Sequence, residues 1–150
     1  LYFYHLANNI SCITLKLYDT FGPKDTREKL VNLLIKSIKE EKKIELSPGE
    51  QILDLSYIND IVMHIEKAAV YLINQDKPIW KIFLLSGERM TVRELVNKLE
   101  MIIGKKFIGN FGGRPYRDRE IMNPIKEKKH LPWCNEITRT PFEKAIKELI

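Results

Sequence analysis

Apolar positions recur along this chain with two periods, and the switches between them predict its elements. Ile13, Leu15 and Leu17 alternate with less apolar neighbours, a strand rhythm that runs to Asp19 and is stopped by Gly22-Pro23. Ahead of it, Leu1 to about Asn8 reads as the end of a helix, with Asn8 and Asn9 suited to its C-terminal turn. Beyond Pro23 the period lengthens. Leu30, Val31, Leu34, Ile35 and Ile38 share one helix face, and Asp25 with Glu28 has the spacing of a capping box for it. Lys43 to Ser47 predicts a short strand, Pro48-Gly49 a turn, and Ile52 to Ile58 a strand with Leu53, Leu55 and Tyr57 on one face. Asn59-Asp60 is the expected cap of a helix reaching about Asn74, whose apolar stripe (Ile61, Val62, Ile65, Ala68, Ala69, Leu72 and Ile73) is the expected buried face.

Trp80 to Leu85 is the next strand and ends at Ser86-Gly87. Thr91 and Glu94 make a second capping box, opening a helix that closes at Gly104 with Val92, Leu95, Val96, Leu99, Ile102 and Ile103 inward. Lys106 to Phe111 predicts a strand, Gly112-Gly113 opens an irregular segment from Arg114 to Asn123, and a short helix is expected around Ile125 to Lys129. A third box, Thr140 with Glu143 and Pro141 at the first helical position, starts a closing helix to Ile150. Strands alternating with helices give an α/β class.

With 150 residues, 44% of them hydrophobic, one core and a single domain over 1–150 are expected. The net charge of +5 is spread along the helices, so it predicts a solvated surface rather than a nucleic-acid patch, and it suits a small phosphate-bearing ligand. Cys12 and Cys134 fit neither a disulfide framework nor a metal spacing, and His5, His64 and His130 are scattered. A reduced, cytoplasmic protein without a metal site is therefore expected. No apolar run approaches a membrane span, so no membrane partner is expected either. Because open α/β sheets place ligands at the carboxyl ends of their strands, the Gly22-Pro23 reversal points to a ligand near Tyr18 and Asp19.

Five stretches, in order, resemble one family. Leu15, Lys16, Asp19, Phe21, Gly22 and Pro23 resemble the strand Leu-Arg-x-x-Asn-x-Tyr-Gly-Pro of the extended short-chain dehydrogenases/reductases, the sugar-nucleotide epimerases, dehydratases and reductases. Gly49 to Asp60 is similar to that family's Gly-x-Gln-x-Arg-Asp-Phe-x-Tyr-Val-x-Asp, and Ile82 to Val96 to its strand, Ser/Gly turn and Thr/Ser-x-x-Glu-Leu helix. Arg114-Pro115-Tyr116-Arg117-Asp118-Arg119 resembles its Arg-Pro-rich substrate loop, and Leu131-Pro132-Trp133 its Leu-Gly-Trp. The segment Asn110 to Met122 is closest in style to reductases and epimerases that make deoxy-sugars for bacterial surface polysaccharide.

The resemblance implies the end of a Rossmann-like parallel sheet plus the small C-terminal substrate-binding lobe, with the N-terminal cofactor half absent. It implies a nucleoside-diphosphate sugar as partner, NAD or NADP as cofactor of the full-length enzyme, and allows a homodimer formed largely through the other half. No Gly-x-Gly-x-x-Gly occurs, and none of the six tyrosines is followed four residues later by lysine. By the family's spacing that Tyr/Lys pair lies just before Leu1. No catalytic residue is therefore assigned here, and the chain alone is expected neither to hold a cofactor nor to transfer hydride.

The candidate substrate-binding residues are Asp19, Lys29, Arg114, Tyr116, Arg117 and Arg119. The three arginines carry guanidinium forks suited to phosphate oxygens, unless Asp118 and Glu120 occupy them. Tyr116 can stack on the nucleotide. Asp19 stands where relatives carry asparagine; its carboxylate repels a diphosphate and can accept sugar hydroxyls. Lys29 can face an anion, although an exposed lysine is commoner. Leu53 replaces an arginine that in many relatives grips the diphosphate, and together with Asp19 it motivates an alternative: an inactive binding or interaction module that kept the fold. Asp54, Tyr57 and Asp60 read as structural, and Trp80 and Trp133 as core.

Overall fold

The computed structural model describes residues 1–126 and 130–150. A short helix α1 (Tyr2–Asn8) ends on Asn9 in the left-handed conformation and leads into β1 (Cys12–Leu17). The alternating stretch expected as one strand is then divided. Tyr18 interrupts the ladder, and β2 (Asp19–Phe21) belongs to a different sheet. Helix α2 (Leu30–Glu40) follows, then β3 (Glu45–Leu46), β4 (Ile52–Tyr57) and α3 (Ile58–Ile73). The second half carries β5 (Trp80–Leu85), β6 (Glu88–Thr91), α4 (Val92–Ile103), β7 (Asn110–Phe111), a single 3₁₀ turn (Cys134–Glu136) and α5 (Phe142–Lys147).

The strands form three small sheets. β1 and β5 pair in parallel, with α3 between them in sequence, as a crossover unit requires. β4 is the centre of a three-stranded sheet, parallel to β2 and antiparallel to β6, and β3 pairs in parallel with β7. The α/β class and the partial parallel sheet are therefore present. β6 was not legible as a strand because Met90 is its only apolar residue, although that side chain is buried. The strand expected over Lys106 to Phe111 contracts to two residues, and the helix expected around Ile125 to Lys129 lies partly outside the described residues.

The main core lies between the β2–β4–β6 sheet and helices α2, α4 and α5, where Leu34, Ile38, Leu95, Leu99 and Ile146 are fully enclosed. A second, smaller cluster joins Ala68, Phe83 and Trp133, with Tyr71 and Leu15 packed against it. One expected burial fails. Ile61 and Ala68 of α3 are buried, but Val62 is 55% exposed, Ile65 53% and Ile73 80%. The apolar stripe of α3 is wider than the surface that this chain offers it, and Phe3 and Leu6 of α1 are left outside in the same way.

Of the three capping boxes one forms. Thr91 Oγ1 accepts from the Glu94 N–H at 3.1 Å, and the Glu94 carboxylate accepts from the Thr91 N–H at 2.7 Å. These bonds hold the Glu94 carboxyl below the usual carboxylate range, and Gly104 closes the helix at φ 76°. Asp25 instead takes Arg27, with Nε at 2.7 Å and Nη2 at 2.9 Å, which holds its carboxyl at about 2; α2 then starts five residues later, after Lys29. Thr140 and Asp60, each expected to cap its own helix, meet each other: Thr140 Oγ1 donates to Asp60 Oδ1 at 2.6 Å. Neither α3 nor α5 receives a side-chain cap, and α5 ends at Lys147 rather than Ile150.

Candidate functional site

The irregular segment from Gly112 to Ile125 is fixed to the sheets by bonds at successive points. The N–H groups of Gly112 and Arg114 both donate to the Leu46 carbonyl, at 3.0 and 3.1 Å, at the end of β3. The Glu50 N–H donates to the Tyr116 hydroxyl at 3.0 Å, and the Ile52 N–H at the start of β4 donates to the Met122 carbonyl at 2.9 Å. Arg89 of β6 donates to Asn123 Oδ1 at 2.7 Å and to the Pro124 carbonyl at 2.8 Å, and Tyr18 donates to the Ile125 carbonyl at 3.0 Å. A loop without regular structure is thereby held as a fixed surface, because its backbone groups are satisfied by neighbours on several strands.

Arg114, Arg117 and Arg119 project from this held loop and are exposed. Among the described residues none of their guanidiniums forms an ion pair, including with Asp118 and Glu120. Tyr116 is half-buried, its hydroxyl already committed to the Glu50 N–H. A fourth cation stands near the loop's start. Arg93 lies 4.3 Å over the Phe111 ring and pairs with Glu50 at 2.8 Å. Three exposed guanidiniums on a fixed loop can hold an anion bearing several oxygens, such as a diphosphate.

The other two candidates sit apart from the arginines. Asp19 is exposed on β2, opposite Leu55, next to the Tyr18 that anchors the far end of the loop. Lys29 is not a free cation. Its ammonium donates to Thr20 Oγ1 at 3.0 Å and to the Thr20 carbonyl at 3.1 Å, with the Asp25 carboxylate 3.9 Å away. It ties the start of α2 to β2, and no bond brings it to the arginine loop. Leu53 is half-buried against the main core, opposite Met90.

Beneath the loop is a buried acid that supports it. Asp54, 1% exposed, accepts from the Ser86 hydroxyl at 2.5 Å, the Gly87 N–H at 2.6 Å and Arg89 at 3.0 Å. Arg89 faces Asp54 directly across the antiparallel ladder and spends its other nitrogen on Asn123 and Pro124. The expectation that Asp54 is structural is met, but Arg89, the link onward to the candidate site, was missed. Its signal was concealed because β6 itself was not legible.

A cavity of about 320 Å³ lies elsewhere, between α3, the Ser86-Gly87 turn and the C-terminal segment, lined by Tyr57, Asp60, His64 and Arg139 among others. None of the six candidates lines it. Tyr57 donates to Glu148 Oε2 at 2.5 Å and accepts from Asn59 at 3.1 Å; burial and that carboxylate push its hydroxyl up to about 12. Among the described residues no group of three His, Cys, Asp or Glu side chains could hold a metal, and no helix is long and apolar enough to cross a membrane.

Comparison with known proteins gives these elements a context. Residues 2–81 match the model of the NAD dependent epimerase/dehydratase family. The chain is 31% identical over 148 residues to CDP-abequose synthase of Yersinia pseudotuberculosis, covering 97% of this chain and 50% of that protein. It is similar in fold to a UDP-glucose 4-epimerase of Thermotoga maritima solved with UDP-glucose (TM-score 0.77, 18% identity, 98% of this chain and 47% of that one). It is also similar to a Thermus thermophilus UDP-glucose 4-epimerase solved with NAD (TM-score 0.74, 16% identity, 97% and 47%). The chain spans about half the length of the curated relatives it matches.

Proposed function

The chain belongs to the NAD dependent epimerase/dehydratase family, and from that premise we propose that it is the single, C-terminal, nucleotide-sugar-binding portion of an NAD(P)-dependent enzyme acting on a nucleoside-diphosphate sugar. The observation that carries this reading is the held loop with Arg114, Arg117 and Arg119 exposed and free of ion pairs among the described residues. Its guanidiniums would take the diphosphate, and Tyr116 would lie against the base. Asp19, beside the loop's anchor at Tyr18, would accept sugar hydroxyls. Lys29 would contribute through the fold, as a strut between α2 and β2.

Neither the α3 nor the α4 terminus offers the dinucleotide a phosphate site. Helix α3 begins directly after Tyr57 with Ile58, without a glycine to let the backbone approach a pyrophosphate, and the α4 terminus is filled by its own Thr91 and Glu94. No step of hydride transfer is therefore assigned to these 150 residues. The likeness to CDP-abequose synthase supports a deoxy-sugar of bacterial surface polysaccharide as the product class, with a cytidine diphosphate sugar as the first ligand to try.

Calorimetric titration with CDP- and UDP-sugars tests the site. Arg114→Ala and Arg117→Ala should each weaken binding by about 1.5–3 kcal/mol, the range for a lost hydrogen bond to a charged group, with folding unchanged by circular dichroism. Unchanged affinity would remove the arginines from the site. A second reading, the inactive binding module, is favoured by Leu53, which lies packed against the core rather than presenting a charge. Under that reading neither nucleotide sugar binds, and the protein isolated from its source has a mass near 17.7 kDa, with no room for a cofactor half.

A further inference from the structure

One face of α3 is fastened to the C-terminal segment at three places, each through a polar side chain. Asp60, His64 and Lys67 recur at helical spacing along one stripe. Asp60 accepts from the N–H and hydroxyl of Thr140, Lys67 pairs with Glu136 at 2.8 Å, and His64 Nδ1 accepts the indole N–H of Trp133 at 3.1 Å. The middle contact differs from the others in kind. An indole N–H can only donate, so the ring nitrogen facing it must carry a lone pair. A protonated imidazole has two N–H groups and no acceptor, so it cannot make this bond.

We propose that His64 is a proton-sensitive latch: neutral, it holds the segment 131–137 on α3 through Trp133, and protonated it lets that segment go, while α5 stays in the main core. Trp133 is 2% exposed and packed against Phe83 and Tyr71, so a proton on His64 would leave its N–H buried without a partner. The imidazole itself is half-buried at the wall of the 320 Å³ cavity, within reach of solvent protons.

The charged and titratable groups around His64 come from every element packed there. On its own helix stand Asp60 and Lys67. The 3₁₀ turn contributes Cys134 and Glu136, the segment after it Arg139, β6 Glu88 and β4 Tyr57. Burial pushes the His64 imidazole below its usual range; the Asp60 carboxylate opposes that shift and Arg139 adds to it. The sign follows. A depressed pKa in the latched state means that the contact is fully present above about pH 6.5, the ordinary histidine value, and is lost as pH falls through the lower, latched value.

Hydrogen–deuterium exchange of the 150-residue chain tests this, comparing peptides from 131–137 at about pH 7.5 and about pH 5 after correction for the intrinsic exchange rate. Linkage multiplies opening by up to tenfold for each pH unit separating the two pKa values. With the ordinary histidine value of about 6.5 setting the limit, exchange in that segment should rise in the wild type by up to about thirtyfold at pH 5, while main-core peptides from α4 stay protected. His64→Gln keeps an acceptor for the indole and does not titrate, so its exchange should be flat; His64→Phe, with no acceptor, should exchange fast at both pH values. No rise in the wild type, or the same rise in His64→Gln, would overturn the latch. If His64→Gln does not fold, NMR of a Trp80→Phe chain decides: the Trp133 indole proton must shift with the His64 ring titration, and an indole signal indifferent to it refutes the proposal.

Discussion

Replacing Asp54 with alanine would remove the acceptor of three donors at once. The carboxylate is enclosed, and it satisfies Ser86, the Gly87 backbone and Arg89, whose side chain is 20% exposed. Breaking a buried pair by deleting one partner costs about 3–5 kcal/mol. Because Arg89 reaches some water and keeps Asn123 and Pro124 as acceptors, the lower end, about 3 kcal/mol, is the expected loss. With a urea slope of roughly 2 kcal/mol/M for a chain of this size, the midpoint should fall by about 1.5 M. Asp54→Asn keeps the shape and one acceptor, and it should lose about half as much if each charge-assisted bond is worth about 1.5 kcal/mol. Arg89 freed from Asp54 keeps its bonds to Asn123 and Pro124 but loses its own anchor, so it holds the arginine loop less rigidly, and the Ile52 N–H, bonded to Met122, should exchange faster than the Thr91 and Glu94 amides at the start of α4. A double cycle with Arg89→Ala should show coupling of at least about 1 kcal/mol. A loss below about 1 kcal/mol for Asp54→Ala, or additivity with Arg89→Ala, would refute the assignment of Asp54 as the loop's foundation.

Three further outcomes follow from the same contacts. Tyr57, with its hydroxyl raised to about 12 against an ordinary 10, is neutral in the fold to higher pH than in the unfolded chain; its contribution is full below pH 10 and is lost as pH rises towards 12. In an ultraviolet titration it should ionise last of the tyrosines, and Tyr57→Phe should flatten the alkaline fall in stability; an unaltered fall would remove Tyr57 as its cause. Gly87→Ala should fail to accumulate as folded protein, because a Cβ there would overlap the Leu55 carbonyl, backbone that cannot step aside; near-wild-type melting would contradict the close approach. Val62→Lys with Ile65→Lys should reduce self-association of the 150-residue chain in sedimentation without loss of helix content, since both side chains are exposed; equal association in both forms would place the sticky surface elsewhere.

Elements with a strong period were readable. The α2 and α4 stripes, the strands from Ile13 and Ile52, and the Thr91/Glu94 box all depend on side chains within a few residues of one another, which sequence displays directly. What failed depended on distant partners. Asp25 and Glu28 have the spacing of a box, but Arg27 was closer to the Asp25 carboxylate; Thr140 and Glu143 have it too, but Asp60 reached Thr140 first. The division of β1 from β2 at Tyr18 depends on which strands each half meets, β5 for one and β4 for the other, and no local pattern encodes that choice.

The candidate site divides in the same way. Its arginines stood out because Gly112-Gly113 and Pro115 mark an irregular segment, and irregular segments that carry cations commonly bind. Its rigidity did not stand out, because the groups that supply it (Leu46, Glu50, Ile52, Arg89 and Tyr18) come from three separate parts of the chain, all distant in sequence from the loop. Lys29 shows the reverse error: its charge attracted a ligand-binding reading, yet Thr20, nine residues away, already accepts its protons. A cation read from sequence becomes a binding candidate only once the fold has been shown to leave it unpaired. By that criterion the arginines of the loop, which have no ion pair among the described residues, qualify and Lys29 does not. The same criterion makes Arg93 informative, since Glu50 and the Phe111 ring already hold it beside the loop. Arg93→Ala should therefore alter nucleotide-sugar affinity less than Arg114→Ala does, and an equal or larger loss would mean that the diphosphate lies nearer β7 than the loop arginines suggest.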